Sequence, residues 1–273
     1  MTPNIQHLLL TGAAGQLGRA LTQPLQALAQ QLTVSDLDAA LKRTTLPPNV
    51  RAQPCDLADA AAVHQLLHGV DAVVHLGGIS VEGPFDPIVQ ANIIGLHNLY
   101  EAARRQGCKR VVFASSNHVT GCYPRSQVLT PQDPPRPDGN YGLSKLFGEG
   151  MASLYWDRYA IESVCLRIGT ATPSPPDRRA LSTWISLPDL ARLVRCALTA
   201  PDVGFLVAYG MSRNTQAFWN TDAAWQRLGF EPQDNAEVFA PQVAHLQQAE
   251  GPQRLLQGGS FLGMGPYDEL KLS

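Results

Sequence analysis

Apolar runs and helix-period segments take turns along most of this chain, and that alternation limits the fold more than any other feature. "HLLLTG" is a compact apolar run closed by a glycine, and "QLGRALTQPLQALAQ" repeats its apolar residues at helical spacing. "LTVSDL" is a second apolar run, "VRAQPCD" a third strand-like segment and "AAAVHQLLHGV" a further helix. "DAVVHLGG" and "RVVFASS" follow as strands around the helical "DPIVQANIIGLHNLYEAARRQG". "YGLSKLFGEGMASLYWDRY" then leads by helix into the strand "ESVCLRIG". Strands that alternate with helices and are apolar on both faces pair in parallel and take helices on either side. The spacing therefore predicts an α/β fold, a doubly wound parallel sheet.

Beyond Gly169 the rhythm loosens into "TATPSPPDRRALSTW", then a helix "LPDLARLVRCALTA", a strand "GFLVAYG" and the amphipathic "TDAAWQRLGF". The region from about residue 170 to 273 is expected to add the last strand and a small cap over the substrate. The Pro-rich "LTPQDPPRPDGN" reads as loop, because proline breaks helix and ladder alike. A chain of 273 residues is ample for one α/β core, so residues 1–273 are read as a single domain.

Net charge is −2, with acids and bases interspersed and no basic run suited to nucleic acid or an anionic membrane. The expected partners are small molecules. Five cysteines lie far apart with no CxxC pair, which suggests neither a disulfide framework nor a zinc site, so no metal is expected and a reducing cytoplasm is the simplest location. The N-terminal apolar run is too short for a signal sequence and no stretch is long enough to span a bilayer, so a soluble protein is expected.

"TGAAGQLG" sets Gly12, Gly15 and Gly18 at three-residue intervals between a strand and a helix, with Gln16 and Leu17 inside the turn. Glycines there permit a tight turn and close approach of backbone to a pyrophosphate, whose charge the helix N-terminus favours. An ordinary strand-to-helix turn is the plainer alternative. Asp36, at the end of the second strand, adds weight to the dinucleotide reading of a Rossmann-type sheet: a carboxylate there accepts both ribose hydroxyls of NAD and repels a 2′-phosphate, so NAD is expected rather than NADP. Asp56, with Leu57, is placed either to accept from an adenine amino group or to cap the following helix.

"YGLSK" places Tyr141 and Lys145 four residues apart, on one face of a helix. An ammonium beside a phenol and an oxidised nicotinamide both favour the phenolate, which takes a proton from a hydroxyl as hydride leaves its carbon. Ser116, at the end of "RVVFASS", offers a hydroxyl to share the same substrate oxygen. A surface helix start is the bland reading of the Tyr-Lys pair, and Ser116 is what counts against it.

The order "TGAAGQLG", "HLGG", "ASSNHVTG" and "YGLSK" resembles the extended short-chain dehydrogenase/reductase family over essentially the whole chain. The resemblance implies Ser116, Tyr141 and Lys145 as catalytic residues, with Asn92 supporting them. Members acting on nucleotide sugars usually have a larger C-terminal domain, and a different sequence where this chain has "NHVTG". "SSNHVTGCY", "YGLSKLFGE", "RIGTATP" and "RALSTW" together resemble the bacterial uronate dehydrogenase subgroup, which oxidises C1 of D-glucuronate or D-galacturonate to an aldarolactone with NAD. That likeness implies that Ser80, Asn117, His118 and Thr170 touch a hexuronic acid and that Arg179 meets its carboxylate. It also implies a homo-oligomer.

Plainer readings stand beside these. His118 is also readable as a loop histidine held by water, and Arg178–Arg179 as a surface pair between which only the resemblance chooses. His75 and the tryptophans Trp184, Trp219 and Trp225 read as packing residues. Two other functions use the same motifs. A nucleotide-sugar epimerase or dehydratase would employ the same three residues without net NADH, and a non-catalytic dinucleotide sensor would need only the glycine turn.

Overall fold

The computed structural model describes residues 5–247 and 250–265. Among these residues, seven strands form one parallel sheet: β1 (Ile5–Thr11), β2 (Ala29–Ser35), β3 (Arg51–Ala52), β4 (Ala72–His75), β5 (Arg110–Ser116), β6 (Glu162–Ile168) and, last on the edge, Phe205–Gly210. Between these last two in sequence, β7 (Thr170–Ala171) and β8 (Trp184–Ile185) make a separate two-stranded ladder, so the edge strand is β9. The spatial order is β3-β2-β1-β4-β5-β6-β9. The chain reverses its direction of travel between β1 and β4, which opens a crevice at the carboxyl ends of those strands.

Side-chain alternation along the strands builds two cores. Leu8, Leu10, Val74, Val112 and Leu166 face one side, while Leu9, Val73, Val111, Phe113 and Cys165 face the other. The first side is covered by α1 (Gln16–Gln26), α8 (Leu187–Thr199) and α9 (Asp222–Leu228), through Leu21 and Leu25, Leu190 and Leu193, and Trp225. The second is covered by α3 (Ala60–Leu66), α5 (Gly95–Gln106) and α6 (Asn140–Tyr159), through Val63, Leu99, Tyr100 and Tyr155. Full burial of a leucine contributes roughly 1.5–3 kcal/mol, and both layers are therefore strongly fastened to the sheet.

Three elements differ from expectation. The strand expected from "LTVSDL" begins earlier, at Ala29, because α1 stops at Gln26 and Leu28 N closes the turn on Leu25 O at 3.0 Å. The third strand is only Arg51–Ala52. Gln53 N and Cys55 N still bond to Val34 O and Asp36 O, but Pro54 between them has no N–H to continue the ladder. The long helix before β5 is interrupted. A short α4 (Phe85–Ile88) passes through a π-helical turn, Val89–Ile94, before α5 begins, and single helical turns also follow β2, as α2 (Asp38–Leu41), and precede β8, as α7 (Ala180–Thr183). The three tryptophans are buried and bonded through their indole N–H to Thr172 O, Gln257 Oε1 and Tyr209 O respectively. All five cysteines are free thiols, and among the described residues no helix is long and apolar enough to cross a membrane.

Candidate active site

The crevice at the sheet's carboxyl edge is a cleft of ≈ 680 Å³. Its floor at one end is the turn between β1 and α1. Gly12 sits at φ +71, and a Cβ there would lie 2.6 Å from the Leu76 backbone; one on Gly18 would lie 2.3 Å from Gly12 O. Only glycine allows β1, α1 and the end of β4 to approach this closely. Gly15, Gln16 and Leu17 line the same wall. Asp36 completes this end: its carboxylate accepts Ala14 N at 2.9 Å and Leu37 N at 2.8 Å, which holds it at the cleft wall, where a ribose diol would sit. Turn, helix start and acid together fit the adenosine diphosphate half of NAD.

The expectation for Asp56 and Leu57 fares differently, since neither lines the cleft. Asp56 is exposed and accepts Ala58 N, the cap of α3 is Asp59, and Leu57 lies against Gly77 and Gly95.

At the other end, β5 delivers Ser116 and α6 delivers Tyr141 and Lys145, all buried. The Ser116 hydroxyl accepts His118 N at 3.2 Å and stands beside the Tyr141 phenol. Lys145 Nζ lies 5.6 Å from the Tyr141 ring centre and 5.0 Å from that of Phe113. Burial dominates both groups. It pushes the Tyr141 phenol up to about 12, against the Ser116 hydroxyl and with the Asp138 charge, and pushes the Lys145 ammonium down to about 8. At Tyr141 burial outweighs the neighbouring ammonium, so the positive charge of an oxidised nicotinamide is the other influence that would favour the phenolate.

Asn92, in the π-helical turn, does not line the cleft but braces it. Its Oδ1 accepts Ile79 N at 2.7 Å, and its Nδ2 donates to Ile79 O and to Ser144 Oγ on α6. The loop carrying Ser80, which does line the cleft, is thereby tied to the helix of Tyr141. Glu82 on the same loop accepts the backbone N–H groups of Asn140 and Tyr141.

The remaining wall holds Asn117, His118, Thr170 and Arg179. Thr170 Oγ1 is 2.8 Å from Thr183 Oγ1 across the β7–β8 ladder. Arg179 donates from Nε to Gln257 O at 2.7 Å and from Nη2 to the same oxygen, so a carboxylate grip through that edge of the guanidinium is not made here. Burial lowers its pKa to about 10, leaving it charged at neutral pH. Arg178 is exposed and does not line the cleft.

Two residues that the sequence reading did not single out stand beside His118. Asp138 Oδ2 is 2.6 Å from His118 Nδ1, and the Phe261 ring stacks on the imidazole at 3.8 Å between centres. Asp138 hides inside a Pro- and Gly-rich loop, and Phe261 in a glycine-flanked stretch without periodicity, so neither carries a local signal. His75 is buried, stacked on Phe113 and bonded through Nδ1 to Thr11 Oγ1, as a packing residue should be. Among the described residues, no cluster of histidine, cysteine or acid side chains is suited to a metal.

A glycine-turn dinucleotide cleft carrying Ser, Tyr and Lys at one end is a nucleotide-dependent sugar or alcohol site. Residues 8–186 match the NAD dependent epimerase/dehydratase family, and the chain belongs to that family. Over 265 residues it is 47% identical to the uronate dehydrogenase of Pseudomonas syringae pv. tomato, with 96% of this chain and 95% of that protein covered. The crystal structure of a glucuronic acid dehydrogenase from Chromohalobacter salexigens superposes with a TM-score of 0.92 at 43% identity, covering 97% of this chain and 99% of that one. The uronate dehydrogenase of Agrobacterium tumefaciens, solved as a point mutant complexed with NAD, superposes at 0.90 with 44% identity, covering 96% of this chain and 98% of that one.

Proposed function

We propose that this protein oxidises C1 of D-glucuronate or D-galacturonate to the aldarolactone, with NAD as its cofactor. One observation carries the reading: a single cleft joins the glycine turn and Asp36 to Ser116, Tyr141 and Lys145, with the cationic Arg179 on the facing wall. The near full-length similarity to uronate dehydrogenases supports it.

NAD, when bound, supplies the acceptor for the C1 hydride at its nicotinamide C4. Gly12, Gly15, Gln16, Leu17 and Gly18 would hold its pyrophosphate and Asp36 its adenosine ribose. Tyr141 takes the O1 proton as the phenolate, a form that the positive charge of an oxidised nicotinamide beside it would favour over the effect of burial; Ser116 would hold O1 at the phenol, and Lys145 would fix the nicotinamide ribose beside Tyr141. Loss of a proton from O1 and a hydride from C1 turns a cyclic hemiacetal into a lactone with the ring closed. Ser80, Asn117, His118 and Thr170 meet the sugar oxygens, and Arg179 meets the carboxylate.

The chain works as one domain, in which residues from about 170 onward supply the edge strand and cover the sugar. It acts in the cytoplasm as a homo-oligomer. The apolar residues Leu143, Phe147 and Leu154 on α6 and Ile94, in the π-helical turn just before α5, are exposed on the surface that a second copy would cover.

The test is absorbance at the NADH band with purified protein, NAD and a panel of free uronic acids, neutral aldoses and nucleotide sugars. NADH formation with free hexuronic acids is expected. Turnover of a nucleotide sugar without net NADH would instead establish an epimerase or dehydratase.

A further inference from the structure

Asp138 is the most heavily enclosed carboxylate near the cleft. Its side chain has no solvent exposure, and its Oδ1 has no hydrogen-bond partner. A buried oxygen left unsatisfied costs stability, so its presence asks for a reason other than folding.

The space around it is shaped by glycines from three segments. A Cβ on Gly121 would lie 1.8 Å from Asp138 Oδ2, and one on Gly258 1.9 Å from the same atom. A Cβ on Gly142, in the first turn of α6, would lie 3.1 Å from Oδ1. The backbone N–H of Asp138 also donates to His118 O at 3.3 Å. Three parts of the chain thus leave a seat for a carboxylate whose nearest side-chain partner is His118 Nδ1, at 2.6 Å.

The imidazole is constrained twice over. Phe261 stacks on it with the ring planes 13° apart, which sets the plane of the ring. Asp138 then sets the rotation within that plane. With Nδ1 turned to Asp138, the Nε2 edge is the one that His118 has for the cleft it lines.

We propose that Asp138 is a positioning residue for substrate recognition: it holds a proton on His118 Nδ1 and so aims Nε2, as an acceptor, at a sugar hydroxyl. The carboxylate acts through the imidazole and does not touch the sugar. A histidine with one ring nitrogen committed to a carboxylate loses its choice of tautomer and orientation, which leaves Nε2 as an acceptor fixed toward one sugar hydroxyl. Asp138 and Arg179 then divide the work. Arg179 supplies the charge for the acid group, and the Asp138–His118 pair supplies direction. The substrate named here rests on the proposed uronate activity, but the state of the ring does not.

Two measurements test this, the first without any substrate. Nitrogen NMR of the ¹⁵N-histidine-labelled protein, with the His118 signals identified by their loss in His118→Gln, should show Nδ1 protonated. A bare Nδ1 would overturn the proposal whatever the substrate proves to be. The second is a double-mutant cycle with Asp138→Asn, His118→Gln and the pair together, followed by kcat and KM for hexuronate and by the Kd for NAD. Asp138→Asn should raise KM about tenfold or more with little change in NAD affinity. The double variant should be no worse than His118→Gln alone. Losses that add in full, or a KM that Asp138→Asn leaves unmoved, would make Asp138 merely structural.

Discussion

Glu82 accepts the backbone N–H of Tyr141 at 2.9 Å, so the helix that carries the candidate base is capped by a carboxylate from a different segment. The same side chain accepts Asn140 N at 3.0 Å, and α6 has no side-chain cap of its own at Gly139. Glu82→Ala should cost about 1–2 kcal/mol, the usual value of a helix cap, and should lower kcat/KM by loosening Tyr141. Glu82→Gln keeps an acceptor and should cost less. Thermal unfolding and steady-state kinetics on both variants check this, and equal effects from the two would remove the capping role.

Tyr141→Phe should abolish most turnover while NAD still binds, because the ring that fills the site stays and only the acid/base oxygen goes. The expected loss is roughly 10² to 10⁴ in kcat. Cofactor titration by fluorescence, alongside NADH formation, separates binding from chemistry. Near-normal turnover would mean that another group takes the proton.

Arg179→Ala should weaken kcat/KM on hexuronates by about ten- to a hundredfold, as expected for a charge-assisted contact worth roughly 1.5–3 kcal/mol. Arg179→Lys should be hurt as well, since an ammonium cannot reproduce the planar fork that also braces Gln257 O. The loss should be selective for acidic sugars. Equal losses on hexuronate and on a slowly accepted neutral aldose would show that Arg179 only holds the C-terminal segment in place.

The ion pair between Arg167 on β6 and Glu149 on α6 is buried, with Nε and Nη2 on the two carboxylate oxygens at 2.9 and 2.8 Å. Glu149 also accepts the Ser115 hydroxyl at 2.6 Å, one residue before the candidate catalytic serine. Arg167→Met leaves that carboxylate buried without its cation and should destabilise the protein by about 3–5 kcal/mol. Adding Glu149→Leu should recover part of this in urea unfolding. A double variant less stable than Arg167→Met would show that Glu149 matters more to Ser115 than to Arg167.

His75 gives the stability a direction with pH. Burial first, and the Lys145 charge second, lower its pKa from 6.5 to about 3. The unfolded chain therefore binds a proton that the folded one refuses. Stability should fall as pH drops from about 6.5 toward about 3, with this group adding a slope of up to roughly 1.4 kcal/mol per pH unit. Above that window it contributes no slope. His75→Gln should flatten the acid limb of stability against pH in urea unfolding, and an unchanged limb would mean that the folded protein accepts the proton.

What the sequence made legible is what local spacing encodes. Gly12, Gly15 and Gly18 fall within seven residues, Tyr141 and Lys145 share one helical turn, and Asp36 ends a strand, so each announces its geometry along the chain. Asp138 and His118 are joined through a loop whose path no periodicity describes. Phe261 reaches the same histidine from near the far end of the chain. Asp56 was ambiguous because a carboxylate after a strand has two common uses; in the fold its Oδ1 accepts Ala58 N, while Asp59 caps α3. The charge logic of Tyr141 was also hidden, because burial is a property of the whole fold and outweighs the neighbour that sequence spacing reveals.

The return of residues 257–261 to the cleft sets an order for assembly on the ribosome. A nascent chain folds from its N-terminal end, so the glycine turn, Asp36, Ser116, Tyr141 and Lys145 are all translated well before Gln257 reaches Arg179 and Phe261 reaches His118. The wall of the cleft around the glycine turn is therefore made first, and the wall around His118 and Arg179 is closed only when residues 257–261 emerge. A chain cut short by premature termination would retain a dinucleotide cradle with an unfinished sugar wall.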